Sequence, residues 1–469
     1  MRTSLLLPLF LVLAGVVSAA HAASGPRLPE TFEVAAVDAF LIRHMKEPGR
    51  VGLSVAIVKD GEVVLRKSYG KCSLAEGLVA GSDTLFAIGS VSKQFTCAAV
   101  LLLAEEGKLS VNDPVAKYYP QLTRAKDITL LDLMNHVSGY PDYYPLDFVD
   151  RRMVAPLSED ELLRRYAGGA LDFEPGSNYS YSNTGYILLG RVVERVSGEG
   201  LGAFLERRLF KPLGMTHTIY EPPPSDLRLA KGYATFLLSP PEAVAPEGRG
   251  WLCGAGGIYS TPEDLARWNI ELISGRVLKP ESFALMTAPR RLSTGRVSEY
   301  GCGISAKLQS GRQVLSHNGA VSGFNASSAI IPSTRSSVVL MCNLEGGLGE
   351  LPGQLLALLL KEASNVPVVR AASVTDTVKS VFAQMQKGRV SRSRFAEEFN
   401  VYLTDEKLAA AARRLKRYGS PRAVDMLSSN ERGSMEVTTT RLTFASGELR
   451  VLMYRRPDGM IEQFFVSGH

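Results

Sequence analysis

Phe86-Ala87-Ile88-Gly89-Ser90-Val91-Ser92-Lys93-Gln94-Phe95-Thr96 is the stretch on which the reading of this chain turns. The pattern predicts a long helix from near Ser90 to Gly107, a glycine suited to the left-handed position after a helix end. Val91, Phe95, Ala98, Ala99, Leu101, Leu102 and Leu103 cover more than one of its faces, so the helix belongs at the centre of a domain. Ser90 and Lys93 lie three residues apart on one face, which places an amine beside a hydroxyl at the helix start. A neutral lysine can accept a serine proton, and burial lowers a lysine pKa toward neutrality. The spacing alone is a weak signal. Ser90 could be a plain helix cap, and Ser68-Tyr69-Gly70-Lys71 repeats the same spacing. That second copy ends a predicted strand and enters a turn, whereas the Ser90 copy opens a buried helix.

Two further clusters carry polar chemistry. Tyr181-Ser182-Asn183 follows the Glu174-Pro175-Gly176 turn and precedes another predicted helix. A tyrosine hydroxyl whose proton is drawn off by nearby cations can act as general base or relay. An asparagine amide can hold a carbonyl and anchor the Lys93 amine. Read for structure alone, the segment is a helix cap. His317-Asn318-Gly319-Ala320 is expected to end a strand, with Gly319 leaving room for a second backbone. The N–H of Ala320 could pair with that of Ser90 as an oxyanion hole. Asn-Gly alone would read as a hairpin turn.

Working outward, Val51 to Val58 and Val63 to Tyr69 flank Asp60-Gly61 and predict a hairpin. Strand character returns over Tyr300 to Ala306, Gln313 to Ser316, Ala326 to Ile331 and Ser336 to Cys342, and a helix over Leu348 to Glu362 follows. Residues 112–286 are helix-rich, including Tyr186 to Val196 and a helix capped by Thr261 with Pro262 in its first position. The expected fold is α+β: one antiparallel sheet built by strands from both ends, flanked by helices, with a helical subdomain inserted. Residues 364–374 read as a linker to a small α+β accessory domain, 375–469. That domain has a helix from Asp405 to Tyr418 between Thr404 and Gly419, then strands over Met435 to Phe444, Leu449 to Arg455 and Met460 to Val466.

The first 22 residues have the form of a cleavable signal peptide. Arg2 precedes an apolar run from Leu5 to Val17, and Ala20 and Ala22 fit a cut after Ala22. A periplasmic or secreted protein is expected, with no integral membrane span after signal removal, since no later stretch is long enough. Cys72, Cys97, Cys253, Cys302 and Cys342 are widely spaced, with no metal-like pattern; they read mainly as small buried residues, although one disulfide is possible. Apolar residues make up 45% and charged residues 21%, as in an ordinary globular chain. The formal net charge of +6 drops to +5 without Arg2, and residues 371–469 hold 16 Lys+Arg against 11 Asp+Glu. The run from Arg413 to Arg417 lacks interleaved aromatic residues, so it reads as a solvated helix face and no nucleic-acid partner is expected.

Together these pieces resemble the penicillin-recognising serine hydrolases, in particular the class C β-lactamase-like branch. The Phe86–Thr96 run looks like the nucleophile segment, Tyr181-Ser182-Asn183 resembles the Y-x-N motif, and His317-Asn318-Gly319 stands in the place of the third motif. Gly256-Gly257-Ile258-Tyr259-Ser260-Thr261 and Met134-Asn135-His136-Val137-Ser138-Gly139 are also similar to stretches of that family. The likeness covers about residues 31–363, and 23–363 would be the hydrolase domain. It implies Ser90 as acylated nucleophile, Lys93 as its proton partner and Tyr181 as proton shuttle. Asn183, His317, Gly319 and Ala320 would bind substrate. Neither metal nor organic cofactor is implied, and the partner would be a small-molecule or peptide substrate.

One departure bears on specificity. β-Lactamases of this branch usually carry Lys-Thr-Gly where this chain has His317-Asn318-Gly319. Histidine, with a reference pKa near 6.5, is mostly neutral at pH 7 and favours a substrate carboxylate less than lysine does. The resemblance therefore implies a β-lactamase/D-alanyl-D-alanine carboxypeptidase-like serine hydrolase acting on an amide or ester, with efficient antibiotic hydrolysis less expected than the serine chemistry itself. Alternatives are a carboxylesterase of the same fold and a non-catalytic cell-wall-peptide-binding protein. An α/β-hydrolase would need G-x-S-x-G, which is missing from this sequence. Oligomeric state and the role of the last hundred residues are left open.

Overall fold

Strands from both ends of the first unit form one sheet in the computed structural model, which describes residues 28–144, 151–237, 239–361, 367, 369 and 371–468. The expected signal segment, and much of the expected linker, lie outside these residues. Contacts divide the chain into two units at Leu360/Lys361. The strands of the first sheet are β1 (Gly52–Lys59), β2 (Glu62–Ser73), β3 (Leu78–Val79), β4 (Ser305–Gln309), β5 (Arg312–Val321), β6 (Phe324–Ile331) and β7 (Ser336–Cys342). Their order is β4-β5-β6-β7-β1-β2-β3, and every pairing is antiparallel. Leu53 pairs with Tyr69 on one side and with Cys342 on the other, so the first strand joins the two ends of the unit.

The sheet is covered on both faces. Leu53, Val55 and Ile57 pack with α1 (Val34–His44) and α5 (Leu351–Leu360). Ala56 and Val58 face the opposite core, which contains α2 (Lys93–Glu105), α3 (Asn183–Ser197) and α4 (Pro262–Ile273). Alternation along β1 thus sorts side chains between two cores rather than between core and water. Residues Lys93 to Leu103 of α2 are all buried, as the all-round apolar pattern predicts, and Gly107 takes φ +69° beyond its end. Thr261 caps α4 by accepting the N–H of Asp264, with Pro262 in the first turn.

Two strand expectations need correction. The segment expected as a strand over Tyr300–Ala306 becomes one only at Ser305. Gly303, at φ +72°, instead packs against the backbone of Lys93, where a Cβ would meet the carbonyl oxygen at 2.5 Å. Likewise His317-Asn318-Gly319 lies within β5 rather than at its end, since Asn318 and Gly319 pair with Ser327 and Ala326. The turn falls at Ser322-Gly323, where Gly323 has φ +81°. Ladder pairing overrides the local Asn-Gly turn signal. All five cysteines are free thiols, so the possible disulfide is not formed.

The second unit has its own core, built by Val378, Phe382, Leu442, Val451, Met453 and Ile461 among others. Helices α6 (Val374–Gln386) and α7 (Asp405–Leu415) accompany a four-stranded meander, β8 (Ala423–Arg432), β9 (Met435–Phe444), β10 (Gly447–Arg455) and β11 (Ile461–Gly468). Sequence reasoning missed β8. It is an edge strand, largely exposed, bulged between Met426 and Ser428, and polar over Ser428-Ser429-Asn430.

Candidate active site

Ser90 sits in a 3₁₀ turn, Gly89–Ser92, that runs directly into α2. Gly89 holds φ +49°, and a Cβ there would lie 2.9 Å from the Ala320 nitrogen. Gly319 is tighter still: a Cβ would fall 1.9 Å from the Ile88 carbonyl oxygen and 3.1 Å from the Ser90 nitrogen. Two glycines therefore let β5 lie against the turn that carries Ser90. We expect Gly319→Ala to push β5 off that turn, costing about 1–3 kcal/mol by overpacking. A thermal melt and the rate of covalent labelling at Ser90 should fall together.

The free edge of β5 supplies the other wall. β4 pairs with β5 only as far as Ser316, leaving the far half of that edge open. In an antiparallel ladder, alternate residues turn their N–H and C=O to opposite edges. Asn318 and Ala320 lie beyond the last β4 pairing at Ser316, and the Ala320 nitrogen stands where a Cβ on Gly89 would meet it at 2.9 Å. Here the Ala320 N–H stands beside the Ser90 turn.

Lys93 is fully buried under Ser90. Its Nζ lies 3.0 Å from Ser90 Oγ and donates to Asn183 Oδ1 at 2.7 Å and to the Ala255 carbonyl at 2.8 Å. Carbonyl oxygens only accept. A neutral amine therefore directs both N–H bonds at these two oxygens and turns its lone pair to Ser90. Burial brings the Lys93 pKa down to about 7, against the opposing pull of Asp142.

Asn183 opens α3. Its amide orientation is fixed from both sides: the oxygen accepts from Lys93, and the NH2 donates to Asp142 Oδ1 and Oδ2 at 3.1 and 3.2 Å. The ring of Tyr181 stands 4.9 Å from Lys93 Nζ. Burial pushes the Tyr181 phenol far above its usual pKa, with its Ser90 neighbour opposing the shift only in part. Tyr181 thus holds its proton more firmly than a free tyrosine does, which suits the relay among the two roles expected of it. Among the described residues the buried Tyr181 hydroxyl has no partner within hydrogen-bond geometry, which leaves it free to turn toward Ser90.

His317 is neutral. Burial, with the Lys93 charge, takes its pKa down to about 3. Nδ1 lies 2.6 Å from the Asn318 carbonyl and so carries the proton, while Nε2 accepts from the Tyr300 hydroxyl at 2.7 Å. Both ring nitrogens are engaged, so His317 shapes the wall without offering a charge.

Ser90, Tyr181, Asn183, His317, Gly319 and Ala320 line one cleft of about 840 Å³, with Lys93 beneath it. Every site residue singled out from sequence is brought together. Two contributors were missed. His136, inside the Met134–Gly139 stretch, accepts the Ser182 N–H at Nδ1 (3.1 Å) and stacks on Tyr181 at 4.2 Å between centroids. Asp142 stands six residues further on and carries no local signal. Among the described residues, no group of three His, Cys, Asp or Glu side chains is arranged to hold a metal, and no helix is long and apolar enough to cross a membrane.

The sheet with its inserted helices and the buried Ser–Lys pair define a β-lactamase-like serine hydrolase. The chain belongs to the beta-lactamase family, whose family model matches residues 37–361. Over 450 residues it is 30% identical to a D-aminopeptidase of Brucella anthropi, covering 90% of this chain and 80% of that protein. Among solved structures, a penicillin binding protein from Bacillus halodurans matches with a TM-score of 0.58 at 26% identity, over 65% of this chain and 95% of that one. A D-amino acid amidase from Ochrobactrum anthropi SV3 shares the fold, with a TM-score of 0.61 at 23% identity over 69% of this chain and 97% of that one.

Proposed function

We propose that the protein hydrolyses amide bonds through an ester formed on Ser90. The Ser90 oxygen attacks the substrate carbonyl carbon as its proton passes to Lys93 Nζ. The N–H groups of Ser90 and Ala320 receive the developing oxyanion. The C–N bond breaks as the leaving nitrogen takes the Tyr181 proton, which Lys93 then replaces. Water attacks the ester by the reverse route and frees Ser90. The observation that carries this reading is the Lys93 amine, buried, aimed at Ser90 and bound to two acceptor oxygens. An open strand edge beside Ser90 favours a substrate with peptide-like groups. The similarity to a D-aminopeptidase agrees with amide chemistry. The predicted leader over residues 1–22 supports action in a periplasm or outside the cell.

Lys93 must be neutral in the free enzyme to accept the proton, so kcat/KM should rise with pH through a midpoint near the Lys93 pKa of about 7. Activity would be lost below that midpoint, where Lys93 is protonated. The test is a pH profile on an amino acid p-nitroanilide, run beside intact-mass detection of a fluorophosphonate adduct. A profile flat through neutrality, or labelling away from Ser90, would overturn the assignment. Turnover of p-nitrophenyl esters with no amide cleavage would move the substrate class to carboxylic esters.

A further inference from the structure

We propose that His136 is the positioning residue that aims the Tyr181 hydroxyl at the leaving nitrogen. This goes beyond the acyl-transfer reading above and rests on it. In that reading Tyr181 gives its proton to the nitrogen as the C–N bond breaks, and Lys93 then replaces the proton.

The backbone asks for a different residue at this place. The short helix Leu130–Met134 ends in a turn where the Val137 N–H donates to the Asp132 carbonyl at 2.9 Å and the His136 N–H to the Leu133 carbonyl at 3.2 Å. His136 takes φ +58° within it. Such a helix end is ordinarily filled by glycine, or by asparagine, because a Cβ is strained in that region. The ring carries a second cost. It is buried, and Nε2 has no hydrogen-bond partner among the described residues. Nδ1 accepts the Ser182 N–H and burial keeps the imidazole neutral, so Nε2 holds the proton as an unpaired buried donor. A residue that served packing alone would bear neither cost.

What the histidine supplies is a grip on Tyr181 from three sides. The Ser180 N–H donates to the His136 carbonyl and the Ser182 N–H to Nδ1, each at 3.1 Å. Between these two bonds the imidazole stacks on the Tyr181 ring, with 4.2 Å between centroids and 35° between planes. The rings of Tyr186 and Tyr300 stand 4.9 and 4.8 Å from the imidazole and hold it in turn. The Tyr181 hydroxyl makes no hydrogen bond of its own among the described residues. Its aim therefore depends on how the backbone and ring behind it are held, and one residue holds both. Misplacing a reacting group by about 1 Å costs on the order of 10²-fold in rate.

The experiment puts two leaving groups on one acyl group. Alanine amide loses ammonia only with a proton delivered to the nitrogen, whereas alanine thiobenzyl ester releases a thiolate that needs none. We would measure kcat/KM for the accepted enantiomer of each, with fluorophosphonate labelling of Ser90 in parallel. His136→Gly suits the left-handed turn but removes both ring and acceptor. It should cut amide turnover by about 10²-fold and thioester turnover by far less. His136→Asn suits the turn and keeps an acceptor for the Ser182 N–H, so it should recover part of the amide loss. Tyr181→Phe should show the same split, and adding His136→Gly to it should cost little more on the amide. Equal losses on both substrates, no loss on either, or a full further loss on top of Tyr181→Phe overturns the proposal, because His136 would then only fill space. Any of these with Ser90 still labelled leaves the serine chemistry standing. A wild type that is not labelled, or that turns over no amide, overturns the underlying reading and this one with it. If neither His136 variant folds, nitrogen NMR of the wild type labelled in histidine decides. The neutral Nε2–H tautomer is expected at His136, and a proton on Nδ1 would mean that the grip on Ser182 does not exist.

Discussion

Ser90→Ala is expected to abolish covalent labelling and to cut amide turnover by about 10⁶-fold, the scale seen when an activated serine nucleophile is removed. The titratable side chains beside it are poorly placed to replace it. Tyr181 keeps its proton, both nitrogens of His317 are engaged, and the Lys93 amine is buried under the floor. The fold should be unaffected, because among the described residues the Ser90 hydroxyl bonds to Lys93, a partner three residues along the same turn. Intact mass after incubation with a fluorophosphonate and with a fluorescent penicillin reads the result directly. A variant that still acquires the adduct would place the nucleophile elsewhere.

Lys93→Met should lower kcat/KM by about 10²–10⁴-fold, the usual contribution of a positioned base. It should also remove a pH-dependent destabilisation of the fold. The sign follows from linkage. Lys93 has a usual pKa of 10.5 when unfolded and about 7 when folded, so the unfolded chain binds more protons between those values. Wild-type stability therefore falls as pH drops from 10.5 to 7 and stays at its reduced level below that. Removing the amine relieves a penalty of a few kcal/mol near neutrality. Part of the gain is offset by Asn183 Oδ1 and the Ala255 carbonyl, left without a donor at about 1–3 kcal/mol each. Thermal melts of both proteins over a pH series test this: the advantage of the variant should be largest at and below neutral pH and shrink as pH approaches 10.5. A stability difference between the two proteins that does not change with pH would mean that Lys93 is held charged.

The parts of the site that were legible share one property: each is a short local pattern with a single reading once its context is known. Ser90 and Lys93 follow from helical spacing in an apolar helix, and Asn183 from its place at the start of the next. Gly319 follows from the need for close backbone approach. What was not legible depends on contacts between distant segments. Asp142 is one aspartate on a loop until folding sets it against Asn183. The tautomer of His317 is held in part by Tyr300, a residue expected in a strand and found instead just before one. The protonation of Tyr181 is set by burial, which spacing does not report. In the fold, the sheet made from both ends of the unit was readable from β-rich runs around tight turns, whereas β8, polar and exposed, offered no apolar alternation to read.

The first strand of the sheet has its partner almost a whole unit away, since Leu53 pairs with Cys342. During synthesis β1 is made early and can form only its hairpin with β2, leaving its other edge unpaired until β7 appears. Loop closure on that scale is slow, and an unpaired strand edge is a template for association with other chains. A chain halted anywhere before residue 342 thus carries a helical middle with no completed sheet beneath it. Refolding from denaturant should in turn show helix before the sheet closes. The unit matures all at once, when its last strand arrives beside its first.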